Sequence, residues 1–397
     1  IAGACGRGRE GLRVMNRKQF LILVILLVVL GGAGLALFWQ DIANYRESGA
    51  RIGAKLLPDI KLAEITQVRL QDAQHQVTLV NKGERWVVQE RGDYPANVQD
   101  ISALLVKLID LKVTQSETVG NSLWPRVELV APAKAGDGAA PSGDPSGVGT
   151  LLEFKDKSGK VLASLVLGKK VLKKDPLNPL PNARDGVPAG RYIRLTASQD
   201  KVVVVSDPLN GAAAQPGKWL AKDFFKVDRI KTLAVGPEGA APDWKIRRDV
   251  EWGQWKLAGG GAVDASNAVR AANALGGISF SDVALKPVES EKPLAAVAET
   301  FDDLTYRVTL ARKRAADEYY LRFTVSGEPP RKRVPEKDEK PEERERRDKD
   351  YTETLKRLDE RIAKEKALAQ WTYVVATSEV EPLMKTRADM SAHKDKK

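Results

Sequence analysis

The chain has 397 residues, 43% of them hydrophobic, which suffices for an extended core and excludes a peptide-like or wholly disordered protein. Its 64 Lys and Arg residues are largely matched by 53 Asp and Glu residues, so most of the formal net charge of +11 is interspersed and does not form one basic field. The single cysteine, Cys5, excludes a disulfide framework, and the basic excess at the two ends is interpreted as solvated tails, with attraction to anionic lipid or cell-wall polymer as the alternative.

The N-terminal region predicts a single-pass membrane anchor. Residues 1–19 form a basic N-terminus, and one interpretation of residues 1–14, which precede Met15, is upstream sequence outside the native protein. Residues 20–39 carry no charge, and at about 1.5 Å per residue a helix of this length spans a hydrocarbon core of about 30 Å. Basic residues before this run place the N-terminus in the cytoplasm, so the remainder is expected in the periplasm or another extracytoplasmic space of a bacterium. A cleaved signal peptide is the competing interpretation, although its apolar run usually covers only ~7 to 15 residues.

The exported part divides by composition and hydrophobic pattern. In chain order its segments are a juxtamembrane spacer (40–60), a first α+β module (61–130), a flexible loop (131–149), a central β-meander (150–224), a second α+β module with a hairpin (225–327), a charged helical insertion (328–370), and a closing strand, helix and basic tail (371–397). The predicted fold class is α+β, with an N-terminal transmembrane helix followed by duplicated β-meander plus helix modules and a central β-meander.

An internal repeat with a period of about 165 residues supports the predicted duplication. The matched features are ITQVRL at 65–70 with IKTLAV at 230–235, Trp86 with Trp255, and a helix over 98–111 capped by Asn97 with a helix over 264–278 capped by Asp264. Two copies of one module are expected, each packing a helix over a sheet. Trp86 and Trp255 are then predicted to be core anchors of equivalent hairpins, with a ligand-stacking pair as the alternative.

The segment at 328–370 begins with charges of both signs and continues into the helix-forming run LKRLDERIAKEKAL. Leu355, Leu358, Ile362 and Leu368 give this run a thin apolar stripe. We interpret it as a solvated helical insertion between two strands. An arm that docks a partner or nucleic acid is the alternative, but dense acids would repel phosphate, so no nucleic-acid partner is predicted.

No catalytic, cofactor-binding or metal-binding residue is predicted. His75 and His393 have no metal-ligand neighbours at useful spacing, and GGGA at 259–262 lacks the Lys-Ser or Lys-Thr of a phosphate loop, so it is interpreted as a turn before a helix cap. Asp302 and Asp303 are adjacent and in a strand would face opposite sides. We therefore predict that the protein is not an enzyme and needs no cofactor.

The order of these features resembles a bacterial family of exported domains of unknown function, encoded beside gliding-motility-type ABC exporter components. The resemblance covers nearly all of the chain after Met15, and it depends on the anchor, the Trp86 hairpin with its helix, LVLGKK at 165–170, KWLAKDFF at 218–225, the Trp255 module and the closing segment LAQWTYVVATSEVEPLMKTRADM. It implies no catalytic residues, and it implies a link to transport only through gene neighbourhood.

Three functional hypotheses follow. The first is a membrane-anchored periplasmic accessory protein of an ABC export or gliding-type complex, acting by protein–protein contacts, with an ABC permease or auxiliary subunits as partners at the inner membrane. The second is a cell-envelope module that binds peptidoglycan or anionic polysaccharide. The third is an envelope hydrolase, which requires two carboxylates about 5 to 9.5 Å apart in a cleft between the modules.

Overall fold

The computed structural model describes residues 52–83, 85–133, 145–173, 186–196, 201–287, 292–314, 316–335 and 339–392. The predicted membrane segment at 20–39, Cys5, His393 and most of the predicted loop at 131–149 lie outside these residues. Within them, no helix combines the length and the apolarity that crossing a bilayer requires.

Seventeen strands of the described chain form two antiparallel sheets. The first sheet contains β1 (Gln67–Gln71), β2 (Gln76–Lys82), β3 (Arg85–Val88), β4 (Tyr94–Pro95), β5 (Val113–Thr118), β6 (Thr150–Lys155), β7 (Val161–Lys173), β8 (Val187–Leu195) and β9 (Lys201–Val205). The second contains β10 (Ile230–Pro237), β11 (Trp244–Arg247), β12 (Lys256–Leu257), β13 (Asp282–Ala284), β14 (Leu294–Thr300), β15 (Leu304–Arg312), β16 (Glu318–Gly327) and β17 (Thr372–Ala376).

Four α-helices accompany the sheets in the described chain. They are α1 (Val98–Ile109), α2 (Ala265–Ala274), α3 (Pro341–Leu368) and α4 (Thr377–Val380). The side chain of Asn97 accepts from the backbone N–H groups of the first turn of α1, and Asp264 accepts from that of Asn267 in α2, which satisfies donors that the helix itself leaves unpaired. The cap residues were therefore predicted correctly from the sequence.

The predicted α+β class is wrong. The described chain is mostly β-sheet with few helices, because the meanders that the sequence predicts separately join edge to edge into two large sheets. Strand β1 pairs antiparallel with β6, so the residues of the predicted central meander extend the first sheet. Hydrophobic alternation identifies a strand but carries no information about its partner far along the chain. The predicted transmembrane helix that formed part of this fold description lies outside the described residues.

The two sheets share one strand order, apart from an additional edge strand, β4, in the first. The first runs β4-β3-β2-β1-β6-β7-β8-β9-β5 and the second runs β12-β11-β10-β14-β15-β16-β17-β13. In the first sheet the four-strand meander β1–β4, and in the second the three-strand meander β10–β12, joins another four-strand meander through their first strands. In both sheets, the strand that follows the helix lies at the far edge. We name residues 56–221 repeat 1 and residues 222–392 repeat 2, so that each includes the chain that leads into its first strand.

Each repeat is closed by its own C-terminal segment in the same way. In repeat 1, Leu220 forms a β-bridge to Ala96, the residue before the Asn97 cap. In repeat 2, Ser391 forms the same bridge to Val263, the residue before the Asp264 cap. Just before these bridges, the carbonyls of Trp219 and Met390 accept the N–H groups of the two cap residues at 2.7 and 3.0 Å. Both side chains are fully buried, so each repeat locks its helix with a buried residue near its end.

An aromatic cluster joins the two repeats. Tyr94 of β4 makes edge-to-face contacts with Phe280, Trp371 and Tyr373 of repeat 2, at ring-centroid distances of 4.9 to 6.0 Å. Beside this cluster, the guanidinium of Arg91 donates two hydrogen bonds of 2.7 Å to the carboxylate of Asp282. Apolar burial and a bidentate ion pair therefore hold the repeats together.

Helix α3 is the insertion between β16 and β17, and only its C-terminal part belongs to the core. Ile362 and Leu368 are buried, and the buried carboxylate of Glu365 accepts the Tyr306 hydroxyl at 2.7 Å. The first part of the helix is largely exposed, and ion pairs such as Arg331 with Asp359 tie the preceding segment to it.

Candidate functional site

In repeat 1, apolar side chains fill the space between α1 and the chain that leads into β1. Leu57, Ile60 and Leu62 lie against Leu105 and Ile109 of the helix, and the hollow left among them measures about 10 Å³. This surface is therefore a packed part of the main core.

In repeat 2, the corresponding surface is an open groove of about 460 Å³. When the two helices are aligned on their caps, Asn97 and Asp264, Ala272 occupies the position of Leu105 and Gly276 occupies the position of Ile109. The side-chain carbons that fill the space in repeat 1 are thus missing. We name this space the α2 groove; it is lined by residues 226–230, by Arg248 and Trp255 of the β11–β12 hairpin, and by the C-terminal part of α2.

The chain that leads into β10 leaves the α2 groove uncovered. Its phenylalanines pack into the junction between the repeats, where Phe224 contacts Phe280 at 4.9 Å and Phe225 stacks on Phe323 at 4.2 Å between ring centroids. In repeat 1 the equivalent chain carries Leu57 and Ile60, which cover α1. The groove therefore has two causes: α2 carries smaller residues than α1, and the chain that leads into β10 packs into the junction between the repeats and does not cover the helix.

Arg248 occupies the groove in a fixed orientation. Its guanidinium carbon lies 4.7 Å from the ring centroid of Trp255 and 5.8 Å from that of Phe301, and its Nε donates to the carbonyl of Ile230 at 2.7 Å. Its two terminal nitrogens make no hydrogen bond to the described part of the chain. Burial lowers the pKa of the Arg248 guanidinium, and the nearby Glu251 carboxylate partly offsets this. The group stays charged at neutral pH because an arginine titrates far above that range.

The other two cations of the groove are already neutralised. Arg229 pairs with Glu251 at 3.0 Å and also with Asp302, and the Lys226 ammonium lies 3.2 Å from Asp228. Within the described ranges, no carboxylate comes within 4 Å of the Arg248 guanidinium. Arg248 is therefore the groove cation available to an incoming anion.

The turn between β11 and β12 presents apolar side chains beside the α2 groove. Trp252 is 91% exposed and Val250 is 63% exposed, and Gly253 closes the turn by donating its N–H to the carbonyl of Val250 at 2.9 Å. Glu251, between them, pairs with the groove residue Arg229. We name residues 250–253 the hairpin tip. A tryptophan with this exposure gains substantially from being covered by a partner.

The residues singled out in the sequence lie at different places. Trp86 and Trp255 both pack against the main core but stay partly exposed, and among the tryptophans that the structure describes the most deeply buried are Trp219 and Trp244. His75 lies in the β1–β2 turn, where its N–H donates to the Asp72 carboxylate at 2.6 Å.

The glycine run and the adjacent aspartates lie in turns. Gly259, Gly260 and Gly261 all have φ between 83° and 95°, a backbone conformation that glycine adopts readily, and they precede the Asp264 cap. Asp302 and Asp303 lie in the β14–β15 turn and not in a strand, where Asp302 pairs with Arg229.

Carboxylates at the junction of the repeats serve contacts between elements. Asp282 is engaged by Arg91, and Glu365 accepts both the Tyr306 hydroxyl and the backbone N–H of Lys226, the latter at 3.2 Å. Across the ranges that the structure describes, no cluster of three or more His, Cys, Asp or Glu side chains could hold a metal ion.

Sequence reasoning missed Arg248, Trp252 and Ala272. A signal for Ala272 existed, since aligning the two helices on their caps places it opposite Leu105. The exposure of Trp252 had no such signal, because two tryptophans three positions apart in one short hairpin give no indication of which one is covered.

Comparison of the chain with protein-family models, with curated proteins and with solved structures finds no match. The functional interpretation therefore depends on the chemistry of the α2 groove and the hairpin tip.

Proposed function

We propose that this protein is a membrane-anchored accessory protein of a bacterial envelope export complex and that it acts by binding other proteins. Its duplicated β-sheet body provides a rigid support, with the repeats joined by the Tyr94 aromatic cluster and the Arg91–Asp282 ion pair. Repeat 2 supplies the contact surface. In this view repeat 1 stabilises the body and repeat 2 has diverged to bind.

One observation carries the proposal: the α2 groove is open where repeat 1 is filled, and the exposed Trp252 stands beside it. Tryptophan and arginine are the side chains most enriched among residues that dominate binding energy at protein interfaces. A groove with both apolar and charged lining residues, a positioned arginine and an exposed tryptophan beside it therefore has the composition of a protein-binding site.

The location in the cell belongs to the same proposal and is supported by the sequence. The uncharged run at 20–39 is long enough to span a bilayer, and the basic residues before it favour a cytoplasmic N-terminus. The body would then face the periplasm at the inner membrane, where the membrane subunits of an exporter are accessible to it. The resemblance described above favours an ABC permease or its auxiliary subunits as partners.

The proposal is tested by purifying the tagged full chain from membranes in mild detergent and identifying what copurifies. We expect an ABC permease or ATPase subunit with the wild-type chain, and its loss with Trp252→Ala. Val334→Ala is the matched control, because Val334 is 87% exposed but lies on the segment before α3. Absence of any permease or ATPase from the wild-type sample, or equal recovery with Trp252→Ala, contradicts the proposal.

A further inference from the structure

The Arg248 guanidinium is arranged as an anion receptor before any ligand arrives. Stacking on Trp255 fixes its plane, and the hydrogen bond from Nε to the Ile230 carbonyl fixes its rotation. Both terminal nitrogens have no partner in the described chain. A guanidinium held in this way loses little conformational entropy when it binds, and its geometry matches a carboxylate.

Repeat 1 shows which kind of chain segment suits this surface. Residues 56–62, with the sequence LLPDIKL, lie over α1 and place Leu57, Ile60 and Leu62 against the helix. Asp59, between these apolar residues, is exposed. The fold thus already packs a short, largely apolar segment, with the exposed charges of Asp59 and Lys61 between its apolar residues, on the surface that is uncovered in repeat 2.

We infer that the α2 groove binds a short partner-protein segment in which an Asp or Glu side chain lies next to apolar side chains. The carboxylate pairs with the terminal nitrogens of Arg248, and the apolar neighbours cover Trp255, Val269 and Ala272. This inference rests on the proposed function and specifies the chemistry of the partner.

Charge and shape both favour such a segment over an anionic polysaccharide. Arg229 and Lys226 already pair with acidic groups, so the groove offers one available cation and no extended basic track. The helix wall offers apolar contact mainly at Val269, which is 45% exposed, and only slightly at Ala272, which is 6% exposed. A repeating anionic polymer gains most from several cations in a row, whereas one acidic side chain between apolar ones fits the groove.

The test uses the full chain in detergent micelles and two blocked peptides, one with the sequence of residues 56–62 and one with Asp59→Asn. Binding is measured by the change in tryptophan fluorescence and by calorimetry. We expect the acidic peptide to bind about tenfold more tightly than the amide peptide, and this preference to disappear in Arg248→Gln, because a charge-assisted hydrogen bond is lost in both cases. Arg247→Gln is the matched control, since Arg247 is an exposed neighbour on β11 that does not line the groove.

A second measurement removes dependence on one peptide sequence. A random peptide library displayed on phage is selected against the wild-type chain and against Arg248→Gln. Enrichment of Asp or Glu next to apolar residues with the wild-type chain, and its loss with the variant, supports the inference. Absence of selected peptides, selection without acidic residues, or binding to purified cell-wall sacculi that Arg248→Gln abolishes overturns it.

Failure of this inference is distinguishable from failure of the proposed function. If a permease or ATPase subunit copurifies in a Trp252-dependent manner but Arg248→Gln recovers it equally and the peptides show no acidic preference, the docking function stands and the acidic segment is wrong. If nothing copurifies, the function itself is contradicted.

Discussion

Replacing Ala272 by Leu restores to repeat 2 the residue that fills the same position of α1. Leu adds three carbon atoms to a side chain that lines the α2 groove, which measures about 460 Å³ and has room for them. At about 0.8 kcal/mol per buried CH₂, full burial would add about 2.4 kcal/mol to the free energy of unfolding. Because the groove is open to solvent on one side, we expect about 1 kcal/mol, and the loss of helix propensity on replacing Ala by Leu is only about 0.2 kcal/mol.

Ala271→Leu is the matched control for this prediction. Ala271 neighbours Ala272 on the same helix but is 0% exposed within the main core, where additional carbons have no space, whereas Ala272, 6% exposed, borders the groove. Overpacking of this kind typically costs about 1–3 kcal/mol. The same substitution at adjacent positions is therefore expected to change stability in opposite directions.

The assay is chemical denaturation of the two variants and the wild type, followed by tryptophan fluorescence, together with binding of the acidic peptide. Ala272→Leu is expected to shift the denaturation midpoint upward and to weaken peptide binding about tenfold or more, because the added carbons occupy the space that the ligand needs. Destabilisation by Ala272→Leu, or unchanged peptide affinity in that variant, would refute the assignment of this groove as the open counterpart of the repeat 1 core.

Three further predictions concern the duplicated body. Met390→Ala is expected to lower the free energy of unfolding by about 2–5 kcal/mol, because Met390 is fully buried near the end of repeat 2; a change below about 1 kcal/mol in denaturation would contradict this. A double-mutant cycle of Arg91→Ala and Asp282→Ala is expected to give a coupling free energy of about 1 kcal/mol that weakens with salt; additive single effects would refute the ion pair. Burial raises the pKa of Tyr94 to about 12 in the folded state, so its contribution to stability is fully present below pH 10 and is lost as the pH rises from 10 towards 12. Across that pH range, the free energy of unfolding should fall less for Tyr94→Phe than for the wild type. Equal decreases in the two proteins would contradict the burial of the hydroxyl.

Local chemistry made part of the fold predictable. Asn97 and Asp264 each stand directly before an apolar repeat, and short polar residues there cap helices through hydrogen bonds that depend on neighbouring residues alone. Alternating apolar residues likewise identify strands such as β1 and β10. Information of this kind lies within one turn or one strand, so the sequence contains it directly.

Pairing between distant strands was not predictable in this way. The α+β class failed because β1 pairs with β6, and the strands β2 to β5 and helix α1 lie between them along the chain. This pairing decides that one large sheet forms where separate modules were expected. The candidate site had the same difficulty. Its cation, Arg248, is defined by Trp255, Phe301 and the Ile230 carbonyl, which come from three separate elements, and only the folded chain brings them together.

The central claim is that the hairpin tip and the α2 groove contact a membrane partner, and photo-crosslinking tests it most directly. An aromatic photoreactive amino acid, which keeps a ring where the Trp252 indole lies, is placed at position 252 in intact cells, with the exposed Val334 as the control position. We predict a light-dependent adduct between position 252 and an integral membrane permease or its ATPase, absent at position 334 and lost when Ala272→Leu fills the groove. Equal adducts at both positions, or no protein adduct at position 252, would contradict the claim.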